Sequence, residues 1–179
     1  MTTFYGSAEQ YPKSSLRVES LGVVDELNAY LGLCKTVAEK STFFVAGKTL
    51  VEVVTQVQHD LFIIQAEIGG AEQRMTEEKT RWLESMIATL EAHLPPITTF
   101  FLPGGTELAT HFDVARTITR RAERRLVSFR HDAAMTGAEK GRPSAYTLAY
   151  LNRLSSLLYA LTRYVNQEVG VTEEKPTYR

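Results

Sequence analysis

Hydrophobic residues recur every three or four positions along most of the chain, the spacing of an amphipathic helix. This pattern predicts five helices, over about 16–39, 46–68, 76–94, 106–131 and 143–169. Pro95-Pro96 ends the third helix, and Gly170 ends the fifth. No alternation of period two lasts long enough to predict a sheet, and 97–102 is predicted to be an apolar connector. We therefore expect an all-α fold, a mostly antiparallel five-helix bundle.

The length of 179 residues is sufficient for one domain with a substantial core. We expect a single helical domain over 1–179, which begins with an N-terminal segment (1–15) and ends in a frayed tail (171–179). Residues 1–13 are polar and do not resemble a signal peptide. No apolar run approaches the roughly 18 residues of a membrane span. These features predict a cytoplasmic protein without membrane contact.

Composition narrows the classes of function. The formal net charge is −1 and the pI is about 6.4, so any basic site must arise by local clustering, and nucleic acid is not an expected partner. The single cysteine, Cys34, rules out an internal disulfide framework and fits a reducing compartment. Four widely separated histidines match no metal-ligand spacing, so we expect no metal ion bound by protein side chains. The common nucleotide-binding glycine loops are absent.

The basic stretch 116–125 of the fourth helix is the strongest candidate for chemistry. At 100° per residue, one arc of roughly 100° holds Arg116, Arg120, Glu123 and Arg124, a set that we call the arginine stripe. Guanidiniums this close repel one another unless an anion lies among them, and a polyphosphate suits their fixed forks of donors. The alternative is a solvated basic face, or pairing with carboxylates of neighbouring helices.

Two polar residues interrupt apolar helix faces. Asp25 follows Val23-Val24 and needs a partner, for which Arg116 is a candidate; ordinary surface charge is the alternative. Asn152 lies in the most apolar helix, where its amide has either a structural or a ligand-directed hydrogen bond.

Four motifs occur in an order and spacing that resemble a known family. They are 23–28 (VVDELN), 100–105 (FFLPGG), 115–125 (ARTITRRAERR) and 150–155 (YLNRLS). Together with 16–19 (LRVE) and 57–62 (VQHDLF), they resemble the PduO-type ATP:corrinoid adenosyltransferases over nearly the whole chain. The pair of the third and fourth motifs is specific to this resemblance.

The resemblance implies a five-helix bundle that forms a homotrimer with active sites between subunits. It also implies the reaction: ATP with Mg²⁺ donates its 5′-deoxyadenosyl group to the cobalt(I) of reduced cobalamin, and triphosphate is released. The cobalamin carries the difficult step, so the protein's task is positioning and electrostatics. A cob(II)alamin reductase and a B12-dependent enzyme are the further partners that it suggests.

Residue roles follow from the same resemblance. Arg120, Arg121, Glu123 and Arg124 match an ATP-contacting helix, with Arg120 and Arg124 as catalytic residues, and Asn152 matches a nucleotide-contacting asparagine. Lys13 matches a phosphate-binding lysine. Asp25 and Arg116 match a salt bridge between subunits. Phe100 matches the aromatic residue that closes over the corrinoid, displaces its lower axial base and thereby assists reduction to cobalt(I).

The N-terminal segment departs from the family pattern. The family opens with a Thr-x-Thr-Gly-Asp-x-Gly loop around the ATP phosphates, and residues 1–6 match the segment just after it. Thr2 and Thr3 remain as candidate phosphate-binding hydroxyls. Residues 7–11 also lack the family's arginine. A start site placed too late, a divergent enzyme with weakened ATP affinity, and a non-catalytic trimeric protein that binds corrinoid or nucleotide are the explanations left open.

Overall fold

The computed structural model describes residues 1–3, 10–99, 101–137 and 140–177. Across these residues the chain forms five helices: α1 (Leu16–Ala38), α2 (Leu50–Gly69), α3 (Glu77–Glu91), α4 (Glu107–Thr136) and α5 (Ala145–Glu168). Two antiparallel strand pairs accompany them, β1 (Thr2–Thr3) with β2 (Gln10–Tyr11) and β3 (Phe44–Val45) with β4 (Lys48–Thr49). The all-α prediction is confirmed, although the short strands were not predicted.

The helices share one core, organised around α4. Helix α4 packs against α1 on one side and α5 on the other, while α2 covers α1 and α3 covers α5. The periodic apolar positions point inward, as Val24, Leu27, Leu31 and Cys34 of α1 do with no exposed surface. None of the helices in the described part of the chain is both long and apolar enough to span a membrane.

Two helix boundaries differ from the predicted ones because local signals override the apolar period. Helix α2 begins at Leu50 rather than near residue 46, since Ala46 and Gly47 take positive φ angles between β3 and β4. Its first turn is closed by a capping box in which Thr49 and Glu52 exchange hydrogen bonds. Helix α4 continues past residue 131 and ends at Gly137, whose φ is 71°.

Two buried carboxylates connect helices that lie far apart in sequence. Asp60 is 1% exposed and accepts hydrogen bonds from Lys79 of α3 and from the Tyr150 hydroxyl of α5. Glu67 is fully buried and accepts from the Ser144 amide, just before α5, among other donors. Because each buried carboxylate oxygen accepts a hydrogen bond from a neighbouring element, both residues have a structural role in holding the helices together.

The start of α4 is held by Asn166 of α5. Its side chain accepts from the Thr106 amide (3.0 Å) and donates to the Gly104 carbonyl (2.9 Å). Gly105 has a φ of 110°, and a Cβ there would overlap the Asn166 amide group. This close approach fixes where the connector between α3 and α4 turns into α4.

The segment after α5 is ordered at its beginning, contrary to the expected frayed tail. Residues 171–174 fold back on the connector: the Val171 amide donates to Asn166, and the Leu102 amide donates to the Glu174 carbonyl at 2.8 Å. Glu173 forms an ion pair with Arg163. The expectation failed because the contact that joins this segment to the connector, from Leu102 to Glu174, links residues 72 positions apart, which periodicity does not register.

Candidate functional site

The arginine stripe lies on the outer face of α4 because the opposite face of that helix is core. Ala115, Ala122 and Leu126 are fully buried, and in consequence Arg120 and Arg124 point away from the bundle and are exposed. Alanines on the buried face let α1 and α5 approach α4 closely, so the stripe is flanked by a helix on each side. The structure thus holds the stripe on a rigid element.

The arginines nearest to α1 are paired with carboxylates of that helix. Arg121 donates to Glu26, and Arg125 lies 3.4 Å from Glu19. All four side chains are about half exposed, so each pair contributes at most about 1 kcal/mol. The pairing alternative raised by the sequence therefore holds for this side of α4. Arg121, predicted to contact ATP, is engaged by Glu26 within the chain; the ATP contact stays a prediction.

Arg116, at the start of the stripe, is neutralised on its own helix. Its Nε donates to Asp113 at 2.9 Å, and its guanidinium lies 5.9 Å from the Tyr159 ring of α5. Asp25 instead accepts from Gln65 of α2 at 3.3 Å. Within one chain, then, Asp25 and Arg116 belong to separate contacts, and their predicted pairing between subunits stays a prediction.

Arg120 and Arg124 differ from the other arginines of α4. Among the residues that the structure describes, neither side chain forms a hydrogen bond or an ion pair. Arg120 lies at a cavity of about 350 Å³ between the end of α3, the middle of α4 and the middle of α5, which we call the arginine cavity. An exposed guanidinium beside a concave surface, as at Arg120, is an arrangement suited to an anion.

Glu123 and Asn152 form a polar bridge from α4 to α5 beside the arginines. The Asn152 amide donates to Glu123 at 3.0 Å, and Arg153 donates to the Asn152 carbonyl oxygen at 2.8 Å. The asparagine is exposed, so its hydrogen bonds are accessible to a ligand. The structure thus joins Glu123 and Asn152, which are 29 positions apart in sequence, and Glu123 lies within one turn of Arg120 on α4.

The predicted N-terminal site residues lie on a different element. Thr2 and Thr3 form β1, and Lys13 is exposed in the turn before α1. In the described residues, the Lys13 side chain makes no ion pair. Tyr11 of β2 holds this end of the chain, through a 2.6 Å hydrogen bond from buried Arg17. Phe100, predicted to face the corrinoid, lies outside the described residues.

Several residues of the arginine cavity were missed by the sequence analysis. Ser155, Ser156, Tyr159 and Arg163 line it from α5, on three successive turns of that helix. Burial is the main cause that raises the pKa of the Tyr159 phenol above its ordinary value, and this keeps the hydroxyl protonated. Helical spacing groups these α5 residues on one face, as it groups Arg120 with Arg124 on α4. Nothing in the sequence indicated that this face of α5 packs beside α4.

Comparison with known proteins agrees with these features. A family model described as cobalamin adenosyltransferase matches residues 1–165. A corrinoid adenosyltransferase of Bacillus subtilis (strain 168) is 39% identical over 163 residues, which covers 89% of this chain and 79% of the relative. A cobalamin adenosyltransferase of Cupriavidus metallidurans is 34% identical over 170 residues, covering 94% of this chain and 85% of the relative.

The fold is also found among solved structures. A variant of a PduO-type ATP:corrinoid adenosyltransferase from Lactobacillus reuteri, complexed with cobalamin and ATP, matches with a TM-score of 0.80 and 29% sequence identity. The match covers 99% of this chain and 94% of that chain. On the family model, the relatives and the fold, this chain belongs to the cobalamin adenosyltransferase family.

Proposed function

We propose that the protein transfers the 5′-deoxyadenosyl group of ATP to the cobalt of reduced cobalamin, giving adenosylcobalamin and triphosphate. Membership of the cobalamin adenosyltransferase family supports this activity. The observation in the structure that carries it is the state of Arg120 and Arg124. These guanidiniums have no acidic partner among the described residues, in a chain whose net charge is −1, and Arg120 lines the arginine cavity.

The chemistry explains why such a site needs arginines rather than an acid and a base. The cobalt(I) of the substrate attacks C5′ of the ribose, a Co–C bond forms, and the C5′–O bond breaks with its electron pair leaving on triphosphate. No proton changes place, but negative charge grows on the departing oxygen. Arg120 and Arg124 would bind the triphosphate chain and stabilise that charge. Each such donor commonly raises the rate by roughly two to three orders of magnitude.

The remaining predicted residues would orient the nucleotide. Glu123 and Asn152 are joined by a hydrogen bond across the groove, which makes them a preformed pair for ribose or base atoms. We propose that Lys13, Thr2 and Thr3 add donors on the phosphate side and that Arg121 exchanges Glu26 for the nucleotide.

We further propose that Mg²⁺ arrives on ATP, held mainly by phosphate oxygens and water, as this hard cation prefers. In the described residues, no group of three or more His, Cys, Asp or Glu side chains is placed to hold a metal ion.

We propose that the active site is completed by a second copy of the chain, in a homotrimer. The arginine cavity, at about 350 Å³, is at the small end of ligand sites and cannot enclose a corrinoid. The α1–α2 face offers a complementary surface, where Asp25 lies beside His59 and Phe62, the last of these 62% exposed. Two different faces in contact produce a head-to-tail interface, which closes into a trimeric ring when successive copies are related by a three-fold rotation.

The assembly has its own test. With Asp25 of one copy opposite the stripe of the next, Asp25→Ala should weaken the trimer, because it removes the acidic partner offered to Arg116. Light scattering after size exclusion would measure the mass of both proteins. An equally stable trimer in the variant would refute this pairing.

The proposed context follows from the substrate. Because the corrinoid must arrive as cobalt(I), a reductase acting on cob(II)alamin is the expected supplier, and a B12-dependent enzyme is the expected recipient of the product. The buried, unpaired thiol of Cys34 is compatible with the reducing cytoplasm in which we place the protein.

A strictly anaerobic assay tests the activity. Purified protein is mixed with cob(I)alamin, MgCl₂ and ATP, and loss of the cobalt(I) absorbance is followed together with the adenosylcobalamin and triphosphate formed. We expect one triphosphate for each adenosylcobalamin. Binding of cobalamin or ATP without turnover would instead identify a non-catalytic binding protein.

A further inference from the structure

Arg163 is a buried guanidinium that joins three separate parts of the chain. From its place on α5, its Nε donates to both carboxylate oxygens of Glu173 (3.0 and 3.2 Å), and one terminal nitrogen donates to the Pro95 carbonyl at 3.0 Å. Its guanidinium also lies 5.4 Å from the Phe101 ring. The side chain is only 4% exposed, so its charge depends on these partners.

These partners decide the position of one wall of the arginine cavity. Leu94 and Ile97 line the cavity from the connector between α3 and α4, opposite Arg116 and Arg120, and Arg163 lines it from α5. The described residues of this connector, 92–99 and 101–106, form no helix or strand. Its ties to the bundle are therefore individual contacts, of which Arg163 to Pro95 and Leu102 to Glu174 are two.

The connector forms an apolar wall, in contrast to the basic side of the cavity on α4. Leu94 and Ile97 line the cavity from the connector, and Ile97 is 53% exposed. Further along the connector, Leu102 is 46% exposed beside a neighbouring cavity, so the connector presents a large apolar surface for its length. The triphosphate would lie against the guanidiniums of α4. Of the two substrates, cobalamin is the one with an apolar macrocycle, and this macrocycle matches the apolar surface of the connector.

We propose that Arg163 and Glu173 are a positioning pair, which holds the connector as the corrinoid-facing wall of the site. On this reasoning the residues after α5 contribute to the site, because Glu173 helps to position the connector. The inference rests on the proposed function and deepens it, because it assigns the pair to the affinity for corrinoid and not to that for ATP. Neither residue contacts the reacting atoms.

The test uses Glu173→Gln and Arg163→Lys in the full chain. Glutamine keeps the size of the side chain and lysine keeps the charge, so each variant removes one property of the pair while limiting the risk of misfolding. Glu174→Gln is the matched control: it removes the same charge one residue later, from an exposed side chain whose backbone carbonyl is unchanged.

We expect KM for cob(I)alamin to rise about tenfold or more in both pair variants, with KM for ATP unchanged. A spectral titration with cob(II)alamin should show the same weakening without turnover. Hydrogen exchange of peptides covering 94–106 should accelerate, because the connector loses its tie to α5. The control should match the wild type in all three measurements.

Two results overturn the inference and are distinguishable from each other. Unchanged KM for cob(I)alamin, or equal rises in both KM values, in an active and folded variant would show that the pair is structural only. A wild-type protein that neither binds cob(II)alamin nor turns over would overturn the proposed function, and this assignment with it.

Discussion

Replacing Arg120 by alanine separates substrate binding from folding. The side chain is exposed and has no partner among the described residues, so its loss should change the free energy of unfolding by no more than about 0.5 kcal/mol. If it binds the triphosphate leaving group, its loss should lower turnover by roughly 10² to 10³, or about 2.7–4 kcal/mol of transition-state stabilisation. The effect on rate should thus be several times larger, in free energy, than the effect on stability.

The assay is the anaerobic one described above, with kcat and KM for ATP measured separately, and thermal unfolding recorded on the same samples. Arg125→Ala is the matched control, because Arg125 lies on the same helix but faces Glu19 of α1 at 3.4 Å. That exposed ion pair contributes at most about 1 kcal/mol, and its loss should leave turnover unchanged. Arg120→Lys should retain part of the activity, since it keeps the charge and loses the fork of donors.

Wild-type turnover in Arg120→Ala would refute the reasoning, because an exposed, unpaired arginine without effect on rate cannot be the phosphate site. Equal losses in Arg120→Ala and Arg125→Ala would refute it as well. They would show that the rate responds to the charge of α4 in general, and not to the groove between α4 and α5.

Three further outcomes follow from the fold. Gly105→Ala should lower the free energy of unfolding by about 1–3 kcal/mol, because φ is 110° and the new Cβ overlaps Asn166. The thermal midpoint measures this loss, and equal midpoints would contradict it. Tyr150→Phe removes a 3.0 Å hydrogen bond to buried Asp60 and should cost about 1–3 kcal/mol in denaturant unfolding, with KM values unchanged. Burial raises the pKa of the Cys34 thiol to about 12, so the native protein should resist iodoacetamide at pH 8 and react only once unfolded; rapid labelling of the native state would contradict its burial.

The helices could be predicted because each signal for them is local. The apolar period, the prolines at 95–96 and the glycine at 170 all act within a few residues, and α1, α3 and α5 follow the predicted segments closely. The start of α2 was misplaced since the residues before it are apolar enough to continue the period. Positive φ angles at Ala46 and Gly47 turn the chain there instead.

The site was predictable only in part. One helix face sufficed to group Arg120 with Arg124, because residues four apart on a helix are neighbours whatever surrounds it. Which arginines are neutralised could not be read in this way. Glu26 and Glu19 of α1 are about 95 and 106 positions from the arginines that they pair with, and only packing of α1 on α4 brings them together.

The sequence by itself determined the class of fold, the ends of most helices and the arginine stripe, because these depend on residues within a turn or two of one another. The tertiary structure alone decided that Arg121 and Arg125 are paired, while the side chains of Arg120 and Arg124 have no partner among the residues that the structure describes. It alone joined Arg163 to Glu173 and Pro95, across a fold-back of the chain after α5. The physical reason is that a guanidinium is neutralised by whichever carboxylate lies within about 4 Å, and that distance is set by helix packing rather than by separation along the chain.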